Sequence, residues 1–134
     1  MKRHINWNTL HGLCEELAEK VKHAKFRSVY GVPRGGLVPA TIISHYLDIP
    51  LVTELDEHGG VYDVLVVDDI ADSGKKIKDF DYKIRTATLF VNEERCKHYP
   101  DFFVEKTRDW IVFPFEYDHK DTISEVKFHA RRYA

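Results

Sequence analysis

Apolar positions recur at two different spacings along this chain, and the alternation between them predicts the fold. Leu10, Leu13, Cys14, Leu17 and Val21 follow helical spacing and predict a helix over about residues 9–22, with Asn8 placed to cap it. Residues 26–32 predict a strand, broken by Pro33-Arg34-Gly35-Gly36. A second helix is predicted over 37–47, with Pro39 in its first turn, where proline is tolerated. A short strand over 51–54 and a turn over 56–60 lead to residues 64–67, an apolar run that reads as a buried central strand. A short helix over about 74–80 and a strand over 86–91 follow. Residues 92–100 read as polar and irregular, and 102–105 and 110–113 as strands. The tail, 118–134, has two readings, a surface strand or a loose terminus. Strand–helix alternation predicts an α/β fold, a mainly parallel twisted sheet flanked by helices. No repeat or linker divides the chain, so one domain is expected over 1–134.

Composition narrows the class. A chain of 134 residues has the modal size of a single domain and can bury one sizeable core. A net charge of −2 gives no electrostatic argument for nucleic acid or a membrane surface. Cys14 falls on the apolar face of the first helix, which predicts a reduced core thiol, and Cys96 has no partner at metal-ligand spacing. The eight histidines are scattered rather than set as ligands. No apolar run reaches membrane length, and Met1-Lys2-Arg3-His4 lacks the apolar core of a leader. The expectation is a cytoplasmic enzyme or binding protein.

The chemistry concentrates after the central strand. Asp68 and Asp69 follow the apolar run, then Asp72, then Ser73-Gly74-Lys75-Lys76 at a predicted helix start. Carboxylates at a strand end suit sugar hydroxyls, and a turn rich in free N–H groups suits a phosphate. The pattern therefore points to a phosphorylated sugar; the plain alternative is a solvated acidic turn. In parallel sheets ligands bind at the carboxyl ends of the strands. Pro33 to Gly36, Asp68 to Lys76 and the segment around Asn92 all fall at that edge.

These residues resemble the type I phosphoribosyltransferases. The family signature is an apolar strand, two acids, two further residues and Asp-Thr-Gly; here it runs over 64–74 with Ser73 in the threonine place. Ile5-Asn6-Trp7, Pro33-Arg34-Gly35-Gly36-Leu37-Val38-Pro39 and Asp109-Trp110-Ile111-Val112-Phe113-Pro114-Phe115-Glu116 are similar to the bacterial purine branch, the xanthine-guanine enzymes. The resemblance implies transfer of ribose 5-phosphate from phosphoribosyl pyrophosphate to a guanine-, xanthine- or hypoxanthine-type base, as in purine salvage, releasing pyrophosphate. It implies a 5′-phosphate cradle of Asp72, Ser73, Gly74, Lys75 and Lys76, and a pyrophosphate loop of Pro33, Arg34, Gly35 and Gly36. The peptide bond before Arg34 would then often be cis. Asp68 and Asp69 would bind the ribose, Asp69 sharing Mg²⁺ with the substrate, and Asp72 would be the general acid/base near purine N7. A small C-terminal segment with Trp110, Ile111 and Glu116 would hold the base, joined by Asn92. A homodimer or tetramer is also implied.

Three departures from the family pattern stand out, and two of them, Lys76 and the short loop, keep a second class open. Lys76 replaces a usual hydroxyl residue, and Asn92 stands where a lysine normally meets the purine 6-oxo group. An amide can donate or accept, so Asn92 admits 6-oxo and 6-amino purines alike, or is simply a turn residue. Only residues 53–63 span the place of the family's long closing loop, and a lid excludes water from an oxocarbenium-like centre. The alternative is a non-catalytic regulator that binds phosphoribosyl pyrophosphate or a nucleotide. The basic, aromatic segment 127–133 offers a weaker third reading, nucleic-acid binding.

Overall fold

The computed structural model describes residues 1–55, 63–80 and 83–117. The turn expected over 56–60 and the tail over 118–134 lie outside them, as does much of the 53–63 loop. The elements in chain order are β1 (Lys2–His4), α1 (Trp7–Val21), β2 (Ser28–Gly31), α2 (Leu37–Leu47), β3 (Leu51–Val52), β4 (Val64–Ala71), α3 (Lys75–Lys78), β5 (Arg85–Asn92), β6 (Phe102–Thr107) and β7 (Trp110–Val112).

Five strands form one sheet in the order β3-β2-β4-β5-β6, and every neighbouring pair is parallel. β4 is central and buried along its whole length, which is why its first half reads as an unbroken apolar run. Leu65 and Val67 enter the main core beneath α1 and α2, while Val66 packs with Val32 and Ile84 in a second cluster. α1 packs on β5, β6 and α2, and α2 packs on β2 and β4. Leu10, Leu13, Cys14, Leu17 and Val21 are all buried, as the helical spacing predicts, and Cys14 is a free buried thiol.

Several boundaries differ from expectation. α1 starts two residues early because Asn6, not Asn8, is the cap: its Oδ1 accepts the Thr9 N–H at 2.8 Å. β4 continues through Asp68 and Asp69 to Ala71 rather than ending at Val67. Polar side chains concealed that extension, and the side-chain alternation changes phase there, since the next main-core residue after Val67 is Ile70. Asp68 Oδ1 accepts the Asp69 N–H and Asp69 Oδ1 accepts the Ile70 N–H, each at 2.8 Å. β2 and β3 are shorter than predicted, and α3 is a single turn rather than a helix over 74–80.

β1 is absent from the sequence reading because Lys-Arg-His shows no apolar period. It forms by parallel pairing with β7, Lys2 opposite Trp110 and His4 opposite Val112, in a separate two-stranded sheet. Arg3 ties that sheet to the larger one, pairing with Glu105 at 2.5 Å and lying over the Phe90 ring. Among the described residues no helix is long and apolar enough to cross a membrane.

Candidate functional site

The strand order fixes where the site lies. From β2 the chain crosses by α2 to β3 on one side, and β4 then takes the place on the other side of β2. That reversal opens a crevice beyond the carboxyl ends of β2 and β4, the usual binding place in open parallel sheets. The segments after β2, β4 and β5 all leave at this edge, so the three loops singled out in the sequence come together.

Between β2 and α2, Pro33–Arg34 is a cis peptide. The turn is pinned to β4, since the Val32 N–H donates to the Val67 carbonyl at 2.9 Å and the Gly36 N–H to the Val32 carbonyl at 2.8 Å. Gly35 lies directly on Asp69: a Cβ there would sit 2.1 Å from Asp69 Oδ2. Only glycine admits this approach. Asp69 Oδ2 is buried and has no hydrogen-bond partner. An unpaired buried carboxylate oxygen is costly and calls for a partner such as a water, an ion or a ligand group.

Asp68, Asp69 and Asp72 are all nearly buried. The Asp68 carboxyl is pushed well above the usual carboxylate range, chiefly by burial and then by the adjacent Asp69, with Lys76 opposing in part. Asp68, Asp72, Gly74, Lys75 and Lys76 line one cleft. Gly74 has φ +83°, and a side chain there would meet the His98 carbonyl at 2.4 Å. The Ser73 Oγ accepts the Lys75 N–H at 3.2 Å, and the Ser73 carbonyl accepts the Lys97 N–H at 3.1 Å. The turn after β4 is therefore backed, main chain to main chain, by the segment after β5.

That segment holds a residue the sequence reading passed over. Arg95 donates from Nε (3.1 Å) and Nη2 (2.8 Å) to Asp72 Oδ1. Asn92 is fully buried at the end of β5, and its Oδ1 accepts the N–H groups of Glu94 and Arg95, each at 3.0 Å. Its Nδ2 is buried without a partner. Glu93 and Glu94 face Arg108, at 2.8 and 3.8 Å. The one available signal was a cation in a polar turn behind a buried strand.

Trp110, Ile111 and Glu116 belong to the second sheet and its following turn. Trp110 and Ile111 are buried, Ile111 within the main core. Glu116 Oε1 accepts the Phe113 N–H at 2.9 Å, which closes the turn after β7.

No family model matches the chain. The xanthine-guanine phosphoribosyltransferase of Cereibacter sphaeroides is 27% identical over 147 residues, covering 84% of this chain and 86% of its own length. The crystal structure of a purine phosphoribosyltransferase from Pyrococcus horikoshii superposes with a TM-score of 0.74 at 33% identity, over 87% of this chain and 94% of that one. The xanthine-guanine-hypoxanthine phosphoribosyltransferase of Helicobacter pylori shares the fold, with a TM-score of 0.73 at 23% identity over 90% of this chain and 97% of that one.

Proposed function

The chain belongs to the type I phosphoribosyltransferases, on their purine side, and from that premise we propose how its residues divide the reaction. The reaction is transfer of ribose 5-phosphate from phosphoribosyl pyrophosphate to a purine base, as in purine salvage. The bond from C1′ to the pyrophosphate oxygen breaks, a bond from C1′ to purine N9 forms, and the purine gives up one proton. The transition state carries positive charge on the sugar, as in glycoside chemistry.

The observation that carries the assignment is the contact of Gly35 with the buried, unpartnered Asp69 Oδ2. It supports a ribose subsite at Asp68 and Asp69 that would adjoin a pyrophosphate subsite at Pro33, Arg34, Gly35 and Gly36. Backbone N–H groups and the Arg34 guanidinium would receive the leaving pyrophosphate. Asp72, Ser73, Gly74, Lys75 and Lys76 would hold the 5′-phosphate. Asp68 and Asp69 would accept the ribose hydroxyls. Asp69 also fits Mg²⁺ that arrives with the substrate, because its Oδ2 has no protein partner. When bound, Mg²⁺ supplies charge neutralisation for the leaving pyrophosphate. Asp72 would take the proton at purine N7. Trp110, Ile111, Glu116 and Asn92 would form the base wall, Asn92 also holding the turn that borders it through its Oδ1. We assign the whole chain to one domain acting as a cytoplasmic homodimer or tetramer.

The test is pyrophosphate release, with matching nucleotide, from phosphoribosyl pyrophosphate and Mg²⁺ against guanine, xanthine, hypoxanthine, adenine, uracil and orotate. Nucleotide from guanine, xanthine or hypoxanthine is expected. Binding of phosphoribosyl pyrophosphate without turnover on any base would replace this reading with a non-catalytic regulator.

A further inference from the structure

A group at the base end of the cleft must distinguish one purine edge from another. The Asn92 Oδ1 already serves two backbone N–H groups, so only its buried Nδ2 is left to donate. Glu93 and Glu94 are acceptors turned toward Arg108. Arg95 is the group of this turn that touches Asp72. Its guanidinium rests on Asp72, the residue assigned to N7, and it enters from a turn held at the carboxyl edge of the sheet.

The chemistry of that pair is specific. A 6-oxopurine about to be attached through N9 presents the O6 acceptor beside a protonated N7, an acceptor next to a donor. Arg95 and Asp72 present a donor next to an acceptor, at hydrogen-bond spacing. A 6-aminopurine offers a donor at the same position, facing a guanidinium that cannot accept. In the nucleotide product O6 and N7 are both acceptors, and an arginine fork is suited to that edge. The Asp72 side chain is 8% exposed and fixed, whereas Arg95 is 45% exposed and has room to settle on a ligand. The Asn92 amide accepts the Arg95 N–H and so anchors its backbone.

We propose that Arg95, acting with Asp72, reads the O6/N7 edge of the purine and makes the site selective for 6-oxopurines. The inference rests on the assignment of Asp72 to N7 above.

The experiment compares wild type with Arg95→Gln and Arg95→Lys. One readout is kcat/KM for hypoxanthine and for adenine. A second is calorimetric affinity for inosine and adenosine 5′-monophosphates, which needs no turnover. Glutamine can accept as well as donate, so Arg95→Gln should lower the 6-oxo over 6-amino preference by on the order of tenfold to a hundredfold. Arg95→Lys keeps a donor and should retain most of that preference. The KM for phosphoribosyl pyrophosphate should stay within about twofold in both, because Arg95 is assigned no phosphate contact. An unchanged hypoxanthine-to-adenine ratio in Arg95→Gln, with an unchanged nucleotide preference, would overturn the proposal. So would a loss confined to the phosphoribosyl pyrophosphate KM, which would make Arg95 a phosphate ligand. Failure of wild type to turn over any base would refute the enzymatic reading alone; nucleotide binding would still decide the role of Arg95.

Discussion

Asp68 illustrates a charge held against its preference. Burial, reinforced by Asp69, raises its carboxyl pKa in the folded chain, so the folded state binds this proton more tightly than the unfolded one. Folding is therefore most favoured, as far as Asp68 decides it, below the unfolded carboxylate value of about 4, and that advantage is lost as pH rises toward the folded value. Asp68→Asn keeps an acceptor for the Asp69 N–H and removes the charge. Its melting temperature should match wild type near pH 4 and exceed it increasingly toward neutral pH, while transfer to the base falls. Parallel melting curves for the two proteins across that range would contradict this cause. Gly35→Ala tests the neighbouring contact. Its methyl group would displace Asp69 or the cis turn, raising the KM for phosphoribosyl pyrophosphate and costing about 1–3 kcal/mol of stability. Wild-type substrate titration and unfolding midpoint would show that the turn yields freely. The acids of this site are legible in the sequence because they interrupt an apolar run. Arg95 is not, because its meeting with Asp72 depends on two strands lying side by side, which no local pattern encodes.

At the scale of elements, periodicity locates the large pieces and misses their ends. α2 occupies the predicted 37–47, and α1 differs only at its cap. Two asparagines competed for that role, and hydrogen bonding favours Asn6. Asn6→Ala should cost about 1 kcal/mol in denaturant unfolding, whereas Asn8→Ala should change little. A larger cost at Asn8 than at Asn6 would return the cap to Asn8. β4 outran its prediction because acidic side chains are depleted in strands, yet Asp68 and Asp69 offset that by bonding the next N–H along the chain. β1 left no trace in the hydropathy pattern, since its stability comes from backbone pairing with β7 and from Arg3. Because α3 is a single turn, the phosphate binding proposed for this loop would fall to its N–H groups rather than to a helix dipole.

At the scale of the molecule, the chain divides its labour between two sheets. The larger one carries, at its switch point, the loops proposed above for the sugar, phosphate and pyrophosphate, and alternating strands and helices foretold that sheet. The smaller one carries Trp110 and Ile111, and its strand partner comes from the opposite end of the sequence. Removing residues 1–4 should therefore weaken base binding, seen as a raised KM for the purine, more than it weakens binding of phosphoribosyl pyrophosphate. Equal losses for both substrates would mean that the small sheet supports the whole fold instead. The same pairing constrains how the protein is made on the ribosome. β1 has to wait, unpaired, until the described elements between it and β7 have been synthesised. Such distant contacts form late, because a long stretch of chain must first be brought together. A nascent chain thus completes the loops proposed for the phosphates before the proposed wall for the purine, and on that assignment a prematurely ended product would hold on to the sugar donor without a place for its acceptor.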